Sequence, residues 1–260
     1  MSFSVDHVSV RLAGRAVLED VAFEAGAGER VVVVGVNGCG KTTLLRLLDG
    51  LAFADAGEVR YAGRRLDAAA LEERAFRRAF RGEVALLFQN VDAMLFNPTV
   101  EDELAFGPRQ LGLPDVPGRV ARWAAAFGVE PLLARAPFEL SGGEKKRVAL
   151  AALLAVEPRV LLLDEPTANL DPASVGQLVD VLAAIPGLTV VATTHNLSMA
   201  AELGDRAVLL APGRAGVLFD GPAPALLGDE RLLVESGLAH RHAHRHGGHV
   251  HAHYHVHDGE

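Results

Sequence analysis

The sequence predicts an α/β fold with an antiparallel β portion at its start and a mainly helical insertion in its middle. Three observations carry the prediction. Val31 to Val34 form an uninterrupted apolar run of strand length, followed by a glycine-rich loop and then Leu44, Leu45, Leu47 and Leu48 on one side of a helix. A second buried-strand pattern, Val160 to Leu163, ends in the carboxylate pair Asp164-Glu165. Between them, residues 90 to 140 are punctuated by Pro98, Pro108, Pro114, Pro117, Pro131 and Pro137 around helical stretches at 100–111 and 116–127, as expected of an insertion in an α/β core.

Composition narrows the function classes. The chain has 260 residues, enough to bury a sizeable core, and a formal charge of −8 with no basic block, which argues against nucleic acid as the main partner. Cys39 is the only cysteine, so no internal disulfide forms and nothing points to an oxidising compartment. No signal peptide pattern opens the chain. The apolar run Val148–Val156 falls well short of the ~20 residues of a spanning helix. The expectation is a cytosolic protein.

In chain order, residues 3–10 and 17–24 read as two strands joined by a turn at Ala13-Gly14, with His7 as a surface strand residue. Next comes Gly35-x-x-x-x-Gly40-Lys41-Thr42 between strand and helix, the context a phosphate-binding loop requires. Its glycines let backbone N–H groups turn inward around phosphate oxygens, Lys41 reaches the β and γ phosphates, and the Thr42 hydroxyl coordinates Mg²⁺. Gly35, Asn37, Gly38, Cys39, Gly40, Lys41, Thr42 and Thr43 are thus the expected nucleotide site. Residues 57–61 read as a strand, 71–80 as a basic, solvated helix, and 83–88 as a strand ending at Gln89.

Leu140-Ser141-Gly142-Gly143-Glu144 opens a helix running to about Val156, with Ser141 as N-cap and Glu144 as its capping-box partner. Two consecutive glycines at a helix start lower stability, so Gly142 and Gly143 are read as a second place where backbone N–H groups approach a phosphate. At the end of the 160–165 strand, Asp164 is placed to hold Mg²⁺ through water and Glu165 to polarise the hydrolytic water. Asn169-Leu170-Asp171-Pro172 turns into a helix over 173–185, and 188–193 is a further strand. His195 follows at its carboxyl end, where ligands meet α/β sheets.

These motifs, in this order, resemble those of the ATPase subunits of ABC transporters, and the resemblance covers residues 1 to about 236. It implies a phosphate-loop NTPase of the ABC ATPase type, comprising residues 1–238 with a helical subdomain at about 90–140. In that family pattern Gln89 senses Mg²⁺ and the γ-phosphate and links them to the helical insertion. Ser141 and Gly143 contact the γ-phosphate of ATP held by the opposite subunit, Asp171 crosses the dimer interface, and His195 holds the γ-phosphate. Two departures stand out: Val10-Arg11-Leu12 lacks the aromatic that stacks on adenine, and Asn196 replaces the Asp that often follows the histidine.

The stretch from Leu86 to Pro108, which contains Gln-Asn-Val-Asp-Ala-Met-Leu-Phe-Asn-Pro-Thr-Val-Glu-Asp-Glu-Leu-Ala-Phe-Gly, is similar to that of energy-coupling-factor importers, particularly the cobalt and nickel branch. This implies work at the cytoplasmic face of the membrane with a coupling protein and a substrate-capture protein, as a homodimer or beside a paralogous ATPase. A vitamin or zinc importer and a soluble non-transport ABC ATPase are the alternatives. Residues 90 to 110 are expected to dock the membrane partner, with Leu95, Phe96 and Phe106 as apolar anchors.

The C-terminal segment, residues 239–260, is read as a disordered histidine-rich tail. His242, His244, His246, His249, His251, His253, His255 and His257 alternate with other residues, and neutral imidazoles suit Ni²⁺, Co²⁺ or Zn²⁺. A solvated tail without function is the other reading.

Overall fold

The computed structural model describes residues 2–246 and 249–256, with backbone alone beyond Ala239. Two compact units divide the chain: Met1–Ala68 with Thr189–Glu260, and Ala69–Leu188.

The first unit opens with β1 (Phe3–Leu12), β2 (Arg15–Ala25), β3 (Arg30–Val34), α1 (Lys41–Leu48), β4 (Ala56–Tyr61) and β5 (Arg64–Arg65). Strands β2-β1-β4-β5 form the expected antiparallel sheet. Alternation puts Phe3, Val5, Val8 and Val10 in the core, and an irregularity between Val5 and Val8 keeps that face consistent past His7, whose φ is 47°. The turn between β1 and β2 takes positive φ at both Ala13 (49°) and Gly14 (79°), the twist that suits a tight hairpin.

The second unit holds α2 (Ala68–Glu72), α3 (Arg74–Glu83), β6 (Val84–Leu87), α4 (Val100–Leu111), α5 (Val116–Ala126), α6 (Gly142–Ala155), β7 (Val160–Asp164) and α7 (Pro172–Ala183). The helical stretches expected at 100–111 and 116–127 are present almost to the residue. Leu104 of α4, Val120 and Trp123 of α5, and Val148, Leu150 and Leu154 of α6 are all buried, so the helices share a core within the larger unit. The single basic helix expected over 71–80 is two helices, α2 and α3, which leave Phe80 as the one buried residue of α3.

The chain returns to the first unit with β8 (Thr189–Thr194), α8 (Leu197–Leu203), β9 (Arg206–Leu209), β10 (Phe219–Pro222), α9 (Ala223–Leu227), α10 (Glu230–Glu235), β11 (Ala239–His246) and β12 (His249–Val256). Here β3 lies between β8 and β9, parallel to both, with β10 antiparallel on the far side of β9. Val31, Val32, Val33 and Val34 have no solvent exposure, as parallel strands covered on both faces require. Among the described residues no helix is long and apolar enough to cross a membrane.

The tail carries two strands over its described residues. β11 and β12 pair antiparallel, with His240 opposite His255, His242 opposite His253, His244 opposite His251 and His246 opposite His249. The physical reason is the period of two in the His-x-His-x sequence, which is a strand pattern. Ala239, at the start of β11, is only 5% exposed and belongs to the folded unit. His257 lies outside the described residues.

Candidate nucleotide site

In the first unit, the parallel register of β3 and β8 sets Val34 beside Thr194, so the loop after β3 and His195 after β8 leave the sheet at the same end. The loop is shaped by its glycines. Gly40 caps α1 at φ 101°, and a Cβ there would stand 2.8 Å from the Val17 carbonyl oxygen, so only glycine fits. Gly40 offers no side-chain cap to α1, whose first turn is Lys41, Thr42 and Thr43, and a helix N-terminus of this kind carries partial positive charge that suits an anion. The Lys41 ammonium, 6% exposed, lies over the same loop and donates to the carbonyls of Gly35 at 2.6 Å and Val36 at 3.3 Å. Asn37 and Gly38 are exposed, Cys39 is buried, and Thr42 and Thr43 are half-buried. His195 is half-buried, and Asn196 caps α8, its side-chain oxygen accepting from the Ser198 N–H at 2.9 Å. Asn196 therefore satisfies the helix start without a negative charge.

The second unit brings the remaining residues together by the same rule. β6 and β7 run parallel with Leu87 beside Leu163, so exposed Gln89 and the buried Asp164-Glu165 pair emerge at one end. Asp164 and Glu165 are 2% and 5% exposed. Glu165 has φ 47°, a left-handed conformation costing about 1–2 kcal/mol for a side chain of this kind, and it must be held there by its surroundings. Asp171 caps α7, accepting from the Ser174 N–H at 3.0 Å and the Ser174 hydroxyl at 2.6 Å, and these bonds hold its carboxyl below the usual aspartate range.

The capping box at Ser141 forms as expected. Ser141 Oγ accepts from the Glu144 N–H at 3.4 Å, while Glu144 Oε2 accepts from the Ser141 N–H at 2.8 Å and lowers its own pKa by doing so. A Cβ added at Gly142 would meet nothing within 4 Å, and one at Gly143 would make only ordinary contact with the Asn169 carbonyl at 3.7 Å. Packing within the chain therefore gives no reason for either glycine.

Two buried charges were not legible in the sequence. Lys146 is 3% exposed and donates to the carbonyls of Glu165, at 3.1 Å, and Ala168. Burial pushes its pKa down to about 8, against the opposing pull of Glu165 and Asp164. Glu103, 4% exposed, accepts from the backbone N–H groups of Phe96 and Asn97 and, at 2.9 Å, from the Asn97 side-chain amide. It thereby fixes the segment on which Phe96, 66% exposed, meets Phe106 edge to face at 5.0 Å. Leu95 is half-buried beside them.

Within the first unit, a glycine-shaped loop, an ammonium and a threonine hydroxyl at one strand end have the chemistry that receives a nucleoside triphosphate; within the second, a carboxylate pair and a glutamine at one sheet end have the chemistry that handles Mg²⁺ and water. Comparison with known proteins agrees. Residues 18–168 match the family described as ABC transporter. The chain is 44% identical over 239 residues to the nickel import ATP-binding protein NikO of Rhodobacter capsulatus, covering 89% of this chain and 93% of that one. It is 41% identical over 226 residues to the energy-coupling factor transporter ATP-binding protein EcfA of Methanoculleus marisnigri, covering 85% and 79%. Among solved structures it is similar to cbiO1 of Clostridium perfringens, part of the ABC transporter complex cbiONQ, with TM-score 0.75 at 27% identity over 91% of this chain and 94% of that one. The matched span takes in the glycine-rich loop, Gln89, the Ser141 helix start and the Asp164-Glu165 strand end, and the chain belongs to the ABC transporter family as one of its ATP-hydrolysing, magnesium-using subunits.

Proposed function

We propose that this ATPase powers the import of a transition-metal ion, nickel first, as the cytoplasmic-face subunit of an energy-coupling-factor type importer. The observation that carries the reading is the likeness to the nickel import protein NikO, which runs over nearly the whole of both chains. The exposed Phe96–Phe106 pair, in the chain segment that follows Gln89, supports it, because an aromatic pair left in solvent is a natural seat for a membrane coupling protein.

In this reading Lys41 leaves the loop carbonyls for the β and γ phosphates, and the amide donors of the loop and of α1 fix the remaining phosphate oxygens. Thr42, Gln89 and Asp164 are the residues that would hold Mg²⁺, which would supply positive charge to the triphosphate. Glu165 accepts a proton from the attacking water, and His195 donates to the γ-phosphate. Ser141, Gly142 and Gly143 reach the nucleotide of a second ATPase subunit, either a copy of this chain or a paralogue. That role accounts for two glycines that packing within the chain leaves unexplained. Asp171 sits at the same interface. ATP closes the pair, hydrolysis opens it, and the docking segment moves the membrane coupling and capture proteins between states.

The test is ion uptake by vesicles holding the copurified membrane partners, with ⁶³Ni²⁺ and ⁵⁷Co²⁺ supplied in parallel. ATP-dependent uptake of Ni²⁺ is expected. Uptake of Co²⁺ alone corrects the cargo, and ATP hydrolysis without uptake of either ion overturns the reading. The tail histidines are proposed to hold incoming metal. Deleting residues 240–260, which spares buried Ala239, is expected to leave MgATP hydrolysis intact and abolish most Ni²⁺ binding in calorimetry at neutral pH. Full metal stoichiometry in the truncated protein would remove the tail from that role.

A further inference from the structure

Lys145, Lys146 and Arg147 occupy one turn of α6, directly after the Ser141 capping box, and they reach three different places. Lys145 Nζ donates to Asp92 at 2.6 Å, in the segment after Gln89. Lys146 Nζ donates to the carbonyls of Glu165 and Ala168. Arg147 Nη1 donates at 3.0 Å to the Ser174 hydroxyl, which in turn donates to Asp171. The stretch from Glu165 to Asp171 is therefore held at both ends from a single helical turn.

The middle arm matters most. Glu165 sits in a left-handed conformation that its side chain disfavours, and the carbonyl bonded by Lys146 is Glu165's own. A buried ammonium donating to that oxygen fixes the peptide after Glu165 and so the direction of its carboxylate. A surface lysine would not be left in the interior with a cost of desolvation of several kcal/mol unless its bonds were needed there.

We propose that Lys146 is a positioning residue for ATP hydrolysis: it locks the backbone of Glu165 and thereby ties the helix that starts at Ser141 to the carboxylate of the same chain. The inference rests on the reading of Glu165 as the group that polarises water. Because α6 also begins with the residues proposed to meet a second subunit's nucleotide, engagement of Ser141 is transmitted through Lys146 to Glu165.

The test is steady-state and single-turnover MgATP hydrolysis by the full chain, normalised to bound nucleotide so that only folded protein is counted. K146M, which keeps length and loses donor and charge, is expected to lower kcat by about 10–100-fold, the range of a lost positioning contact, with KM for MgATP within about twofold. K146R, which restores charge and donors, is expected to recover part of kcat. K146M added to E165Q is expected to slow single-turnover hydrolysis no further than E165Q alone, because both act through one group. Should K146M not fold, K146Q carries the same measurements. A folded Lys146 variant with kcat within about twofold of the parent, or an effect fully additive with E165Q, overturns the inference. Near-normal hydrolysis by E165Q instead overturns the underlying reading of Glu165.

Discussion

Glu103→Ala is the sharpest test of how the segment at residues 95–97, proposed above to dock the membrane partner, is held. In the folded chain this carboxylate is 4% exposed and takes three donors from Phe96 and Asn97. Alanine leaves all three without an acceptor, and a buried donor left unmade costs about 1–3 kcal/mol. Because Phe96 itself is open to solvent, water reaches part of the vacated space, and the lower end of that range applies. Three donors at about 1 kcal/mol each give about 3 kcal/mol, or about 6–12 °C in Tm for a chain of this size. Glu103→Gln keeps one carbonyl acceptor, so about half the loss is expected. Thermal unfolding followed by circular dichroism measures the first effect, and partner-stimulated ATP hydrolysis measures the second. Stimulation is expected to fall while basal hydrolysis stays, since Glu103 touches none of the nucleotide residues. A Glu103→Ala protein that melts within about 1 °C of the parent would refute the argument that this carboxylate is what orders residues 95–97.

Three further outcomes follow from the same structure. Glu165→Gln is expected to bind MgATP with near-parental affinity and hydrolyse it at least about 100-fold more slowly, while Lys41→Ala loses tight binding; equilibrium binding of a fluorescent ATP analogue and phosphate release separate the two. Phe96→Asp places a charge on a side chain that is 66% exposed, so the fold and basal hydrolysis should hold while stimulation by the membrane partner is lost. A drop in Tm instead would assign Phe96 to the core. Glu144→Gln weakens the capping box by about 1 kcal/mol at neutral pH. Because the folded state lowers the Glu144 pKa, that contribution is present above the ordinary value of 4.5 and is lost as pH falls through the depressed folded value. The Tm difference between parent and variant should therefore shrink below about pH 4.5 and vanish at lower pH; a difference that persists there would mean that Glu144 does not act as an ionised cap.

What could be read in advance follows how local the physics is. The phosphate loop, the Ser141 cap, the strand ending in Asp164-Glu165 and the helix starts at Thr99, Asp115 and Asp171 depend on a few consecutive residues and the hydrogen bonds they offer. The α4 and α5 boundaries were accordingly legible. Lys146 was not, because Lys145-Lys146-Arg147 at the start of a helix is the pattern of a solvated face, and nothing within the run marks the middle residue as buried. Only the arrival of the carbonyls of Glu165 and Ala168, about twenty positions later in the chain, makes an interior ammonium tolerable. Glu103 was hidden in the same way among Glu101, Asp102 and Glu103, three acids that suit any helix N-terminus. The one that turns inward is selected by the backbone of residues 96 and 97. Both hidden residues serve segments that leave the ends of the paired strands β6 and β7, and in both a charge is buried against backbone groups of an irregular loop. An irregular loop rarely pairs all of its own backbone groups, and here two such loops take a buried side chain from a neighbouring helix. In this chain the helices α4 and α6 supply those side chains, which makes the ordered course of residues 96–97 and of the Glu165 loop properties of the helices behind them.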